Sequence, residues 1–253
     1  MTLDPAFYTQ PLAHRALHDA ANGRPENSRA AIKAAIEADY GIEIDVQLSA
    51  DGAAMVFHDY DLTRLTSRGG AVRLHNAAAL SEFTLKGGSE GIPDLQEVLA
   101  LVAGRVPLVV EIKDQDGAMG PNIGRLEAAV ADALRGYAGP LSVMSFNPHS
   151  VRRMAELLPG VPRGLVTSAY RYCDWPLPPE TCDHLREIPD YDRVGACFIS
   201  HEVSDLSRAR VRALKEKGAM ICCWTVRSRA QEAEARAVAD NITFEGYTAP
   251  HKA

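Results

Sequence analysis

Glu43 and Asp45 stand two residues apart in Gly41-Ile42-Glu43-Ile44-Asp45-Val46-Gln47-Leu48, where the even positions are aliphatic and Glu43, Asp45 and Gln47 are polar. Strand side chains alternate between faces, so one face is apolar and the other carries both carboxylates. In an enclosed sheet these like charges repel unless something positive lies beside them, and a cation is the economical solution. A half-exposed antiparallel strand with its polar face in water is the alternative. The pattern recurs in Leu108-Val109-Val110-Glu111-Ile112-Lys113, which brings Glu111 and Lys113 to one face late in a strand. Three carboxylates without clustered cysteines suit one hard divalent cation, Mg²⁺ or Ca²⁺, better than zinc. Lys113 is either the ion-pair partner of Glu111 or a cation facing an anionic substrate.

His14-Arg15 and His58-Asp59 each close a short apolar run. Two imidazoles titrating near neutrality offer a base and an acid. The Arg15 guanidinium can give two parallel hydrogen bonds to a phosphate. His18, His75, His149, His184, His201 and His251 fall in turns, helices or the tail, where surface placement is the simpler reading, with His18 and His201 kept as pocket-lining candidates. The chain has no P-loop, no GxGxxG after a strand and no GxSxG elbow, so nucleoside triphosphate, dinucleotide and serine-hydrolase chemistry lack their motifs.

Such residues need a scaffold that turns several strand ends toward one point. Strand-like runs are expected near 12–17, 41–48, 54–58, 108–113, 141–146, 164–167, 196–200, 219–226 and 241–244. Helical patterns lie between them, over 28–38, after Asp94, and over 125–137, 148–158, 205–217 and 228–239. Asn27 or Ser28 can cap the first of these, Asp94 and Glu97 have capping-box spacing, and Gly136 and Gly218 stand at helix ends. About eight strand–helix cycles in 253 residues match a (β/α)₈ TIM barrel, a single domain over 1–253, provided two of the nine runs form one strand or a hairpin in the first half. The stretch 59–92 has weak periodicity and reads as a short loop excursion over one face. In such a barrel the C-terminal strand ends form the active face, bringing His14, His58 and the three carboxylates within reach of one ligand.

Composition narrows the function. Asp and Glu outnumber Lys and Arg 33 to 27, the net charge is −6 and the basic residues are scattered, which argues against nucleic acid as a partner. Five cysteines without CxxC spacing argue against a secreted disulfide framework, and adjacent Cys222 and Cys223 face opposite ways on a strand. The N-terminus lacks a basic start and an apolar stretch, and no apolar run approaches the ~20 residues a spanning helix needs, so a cytoplasmic chain with no integral membrane segment is expected. Nothing in the sequence specifies an oligomeric state.

Taken in order, His14-Arg15, Pro25-Glu26-Asn27-Ser28, Glu43-Ile44-Asp45, Asp51-Gly52, His58-Asp59 with Leu62 and Thr66, Glu111-Ile112-Lys113, Ser145-Phe146-Asn147-Pro148 and Cys223-Trp224-Thr225-Val226 resemble the glycerophosphodiester phosphodiesterase family. Its hallmark is HR, then ExD, then HD. The resemblance implies a TIM barrel acting on a small-molecule phosphodiester, a divalent metal held by Glu43, Asp45 and Glu111, and acid–base catalysis by His14 and His58. It further implies phosphate binding by Arg15 and Lys113, with Phe146 and Trp224 near the alcohol side of the substrate; plain barrel core is the other reading of those two aromatics. The implied reaction releases sn-glycerol 3-phosphate from diesters such as glycerophosphocholine or glycerophosphoethanolamine. A lysophospholipase D on the same site and a non-catalytic barrel binding phosphate metabolites are the alternatives. Ala16 stands where the family usually has Gly, so that turn must accept a Cβ. The segment between His58 and Glu111 is short for the inserted subdomain that some members carry.

Overall fold

The computed structural model describes residues 2–251. Its strands are β1 (Leu12–Ala13), β2 (Gly41–Leu48), β3 (Ala54–Val56), β4 (Leu108–Ile112), β5 (Leu141–Ser145), β6 (Arg163–Thr167), β7 (Phe198–Glu202), β8 (Met220–Val226) and β9 (Asn241–Phe244). All except β3 run parallel, and β1 pairs with both β2 and β9 to close an eight-stranded ring. The ninth run, β3, folds back antiparallel on β2, with Val56 opposite Val46 and Ala54 opposite Leu48. This is the hairpin that the strand count required, and the architecture is a TIM barrel.

The helices are α1 (Ala6–Thr9), α2 (Arg29–Glu37), α3 (Ala77–Glu82), α4 (Leu95–Val102), α5 (Arg125–Leu134), α6 (Pro148–Leu157), α7 (Pro179–Arg186), α8 (Ala209–Glu216) and α9 (Arg229–Ala235). Ser28 caps α2 by accepting the Ala31 N–H at 3.1 Å, and Asp94 and Glu97 form the capping box of α4. Gly136 and Gly218 take positive φ just past α5 and α8. Three helices were not expected: α1 and α3 are too short to show a period, and Pro176, Pro178 and Pro179 disguise the start of α7 as loop. The strand expected over 12–17 ends at Ala13, because the chain turns there into the site.

Ile42, Ile44, Val46 and Leu48 pack outward beneath the helices beside Ile32, Ala35 and Val98. Ile42, Ile44 and Val46 are fully buried, each worth about 1.5–3 kcal/mol relative to exposure. That burial fixes the register: a one-residue slip would turn Glu43 and Asp45 into the apolar layer. Inside the barrel Val109, Met144, Val166, Phe198 and Met220 meet Leu3 and Phe7, so α1 and its flank close the N-terminal end. Asn241 holds this closure by donating to the carbonyls of Phe7 and Gln10 at 2.8 and 2.7 Å. Cys222 lies in this inner layer and Cys223 in the outer one.

The stretch 59–92 builds a small core of its own, in which Leu62, Leu65, Val72, Leu80, Leu85 and Ile92 surround Met55 and Phe57. Its spacing follows turns and the short helix α3, too brief to show a period, which hid it from periodicity. Gly91 permits one close approach: a β-carbon there would lie 1.8 Å from the Ser81 carbonyl oxygen. No helix among the described residues is long and apolar enough to cross a membrane.

Candidate active site

Beyond β1 the chain reverses through Arg15 and Ala16, at φ 53° and 65°. A side chain in this left-handed region costs roughly 1–2 kcal/mol, and the buried Ala16 bears that cost where glycine would not. The turn aims His14 and Arg15 at the barrel mouth, and the Arg15 N–H donates to Glu43 Oε2 at 3.0 Å. On the other side the β2–β3 hairpin delivers His58. The Phe57 N–H donates to the Asp45 carbonyl at 2.9 Å, and Gln47 Nε2 donates to the His58 carbonyl at 3.0 Å.

Carboxylate oxygens of Glu43, Asp45 and Glu111 lie within 4.8 Å of one another, all three residues buried. β-register does this, since Asp45 stands opposite Glu111 on β4. Lys113 Nζ lies 2.7 Å from Asp45 and 2.6 Å from Glu111, and Asn27 Nδ2 donates to Asp45 at 2.9 Å. Burial raises Asp45, but Lys113, His58 and Arg15 outweigh it and hold this carboxyl far below the usual range. Burial, then Asp45 and Glu111, push Glu43 well above that range. Glu43 Oε1 is buried without a hydrogen-bond partner. One ammonium and a shared guanidinium thus face three crowded carboxylates with an unused oxygen among them. Such an oxygen-donor set fits a hard divalent cation.

Each imidazole has its own carboxylate. His14 Nδ1 lies 2.5 Å from Glu245 Oε2, and His58 Nδ1 lies 2.7 Å from Asp59 Oδ1. The hydrogen bond from His14, with the His18 imidazole close by, holds Glu245 far below its ordinary pKa, so it is ionised and only accepts. For Asp59, burial is outweighed by bonds from His58 and Arg64, with the same result. Both Nδ1 atoms therefore carry hydrogen, leaving both Nε2 atoms for proton transfer. Burial lowers the pKa of His14 despite its bond to Glu245, which keeps the ring neutral at pH 7.

Arg64 ties the two halves together. Its guanidinium donates to both oxygens of Asp59 at 2.6 and 2.8 Å and to both oxygens of Glu26 at 2.8 Å, while Glu26 accepts from Arg15 at 2.7 Å.

A cavity of about 220 Å³ opens over these groups, lined by His14, Arg15, Glu43, His58, Glu111 and Lys113 from one part of the barrel and by Met144, Phe146, Val166, Trp175 and Trp224 from another. Every expected site residue lines it except Asp45, which lies beneath, 1% exposed. Lys113 makes the ion pair of one reading and also lines the cavity, where the other reading has it face the substrate. His201 is sealed between Thr167 and Asp205, away from the cavity, and His18 Nε2 lies 3.6 Å from Glu245 without lining it. Glu245, Arg64 and Trp175 were not foreseen. Glu245 is 231 residues from His14, and no local signal pairs them.

The model of the glycerophosphoryl diester phosphodiesterase family matches residues 14–241. A Bacillus subtilis protein provisionally named a glycerophosphodiester phosphodiesterase is 27% identical over 90% of each chain. The glycerophosphodiester phosphodiesterase of Caldanaerobacter subterraneus subsp. tengcongensis is 35% identical over 62% of this chain and 66% of its own. Among solved structures, an Oleispira antarctica phosphodiesterase in complex with the product sn-glycerol-3-phosphate superposes with a TM-score of 0.75 at 23% identity, covering 93% of this chain and 92% of its own, a likeness of fold. With the family's match running from the first site histidine to the last barrel strand, the chain belongs to the glycerophosphoryl diester phosphodiesterases, a family of phosphoric diester hydrolases.

Proposed function

We propose that the protein hydrolyses glycerophosphodiesters such as glycerophosphocholine or glycerophosphoethanolamine to sn-glycerol 3-phosphate and an alcohol, with one Mg²⁺ or Ca²⁺ held by Glu43, Asp45 and Glu111. The observation that carries this reading is the opening of a buried carboxylate cluster and two carboxylate-anchored imidazoles onto one small cavity. Family membership and the sn-glycerol-3-phosphate in the Oleispira antarctica relative support it. The site draws on both ends of the chain, from His14 to Glu245, which supports reading 1–253 as one domain.

When bound, the cation supplies Lewis-acid polarisation of the phosphoryl oxygens. Arg15 lines the cavity with Nη1 held by Glu26 and Nε 3.6 Å from Asp45 Oδ2, which leaves the remaining N–H groups of the guanidinium to donate to a phosphate oxygen. Neutral His14 accepts the nucleophile's proton at Nε2, and Glu245 stabilises the imidazolium that forms. His58, oriented by Asp59, gives a proton from Nε2 to the leaving alkoxide. Lys113 keeps Asp45 and Glu111 apart and aligned.

Metal-loaded protein should release sn-glycerol 3-phosphate from glycerophosphocholine or glycerophosphoethanolamine. Turnover of lysophospholipids alone would make it a lysophospholipase D, although the cavity falls below the ~300–1,000 Å³ that drug-sized ligands occupy. Saturable binding of phosphate metabolites without turnover of any diester would make it a binding barrel.

Arg64→Ala should lower kcat on the same substrates about 10–100-fold, the scale of a site displaced by an ångström. Arg64→Lys should recover little, because a point charge cannot fork two carboxylates. An Arg64→Ala enzyme of native activity would remove Arg64 from the positioning network.

A further inference from the structure

Glu245 keeps its place beside His14 with the help of a side chain that the chemistry above does not use. Just past β9 the Glu245 N–H donates to the Val226 carbonyl at 3.0 Å, which sets Glu245 alongside Arg227 at the end of β8. The start of α9 fixes Arg227 in turn. Ser228 Oγ accepts the Gln231 N–H at 3.2 Å, and Gln231 Oε1 reaches back to accept the Arg227 N–H at 2.7 Å. From this anchored backbone Arg227 Nε and Nη2 both lie 2.8 Å from Glu245 Oε1. The other oxygen, Oε2, faces His14 Nδ1 at 2.5 Å, with His18 Nε2 3.6 Å away.

The two oxygens of one carboxylate thus have different partners. A glutamate has three side-chain torsions, and a grip on one oxygen keeps the other from swinging off the imidazole. The Arg227 side chain is 62% exposed, and an ion pair so placed adds little to stability. What it supplies is direction. We propose that Arg227 is a positioning residue for His14, acting through Glu245: it holds the carboxylate where the imidazole must keep its hydrogen on Nδ1 and offer Nε2 to the substrate. This rests on the role given above to His14. Arg227 also lines the cavity, so direct contact with the substrate phosphate is the rival role, and only that rival is indifferent to Glu245.

The test is a double-mutant cycle on glycerophosphocholine hydrolysis. Arg227→Met should lower kcat about 10-fold with KM and Tm close to native. Arg227→Lys should recover most of that loss, since one ammonium can serve the single oxygen on which both N–H groups converge. Glu245→Gln should cost about 10²–10⁴-fold, because an amide can donate to Nδ1 and admit the wrong tautomer. In that background Arg227→Met should add no further loss, as for residues that act in series. A loss that falls on KM, or that persists in full beside Glu245→Gln, would overturn the proposal in favour of direct substrate contact and leave the phosphodiesterase reading intact.

A second readout needs no turnover. Nitrogen NMR of the histidine rings distinguishes the two neutral tautomers, and the His14 signals are those missing from His14→Ala. His14 should read as the Nδ1–H form in native protein and as a mixture in Arg227→Met, while His58, anchored by Asp59 instead, should be unchanged. That pattern without hydrolysis of any diester would support the clamp while the phosphodiesterase reading failed. An unchanged His14 in Arg227→Met would overturn the clamp.

Discussion

Chelation of divalent ions is expected to lower kcat on glycerophosphocholine by about 10³-fold or more, since Lewis-acid stabilisation is worth several kcal/mol and each 1.36 kcal/mol is tenfold. Added Mg²⁺ or Ca²⁺ should restore the rate. Glu43→Gln should suffer a similar loss that neither ion repairs, because the amide keeps the shape and removes one of three charges from the cluster. A measurement independent of turnover accompanies this: an ion that binds only the folded protein adds about 2.7 kcal/mol at 100 times its Kd, so Tm should rise with ion concentration in native protein and scarcely move in Glu43→Gln. Full activity in excess chelator would sink the metal assignment.

The second large effect is expected at the histidines. His14→Ala and His58→Ala should each lower kcat by about 10²–10⁴-fold, the usual contribution of a general acid or base. Their combination should cost little more than either alone, as for groups acting as one unit. The pH profile then separates the roles. Burial places the pKa of His14 below 6.5, and a base works only when deprotonated, so native kcat/KM should climb with pH through an acidic limb in that range. His14→Ala should lose that limb. A His14→Ala enzyme that kept it would refute the assignment.

What could be read from sequence follows the range of each signal. Alternation over Gly41–Leu48 is local and strong, and it placed Glu43 and Asp45 inside the barrel because outward burial of Ile42, Ile44 and Val46 leaves them no other face. His14 and His58 were visible because each closes a strand-like run. Glu245 was invisible for the opposite reason: an acid just beyond β9 means nothing until the ring closes and sets it against His14. Arg64 and Trp175 sit in segments whose conformation is dictated by turns and by their own small cores, where neither period applies. Element ends were misjudged where the site intervenes, as at His14, where the strand stops so that a left-handed turn can begin.

The two-residue strand β1 also bears on how the protein is made. Besides β2, its parallel neighbour among the described residues is β9 (Asn241–Phe244), so the ring stays open during synthesis until β9 has been added. Until then β8 and β1 expose unpaired edges that invite association with other chains, and His14 has no carboxylate to orient it. Closure and competence for chemistry arrive together with the final strand. A product ending before Asn241 should therefore be inactive and aggregation-prone at once, so activity would report that synthesis had passed Glu245.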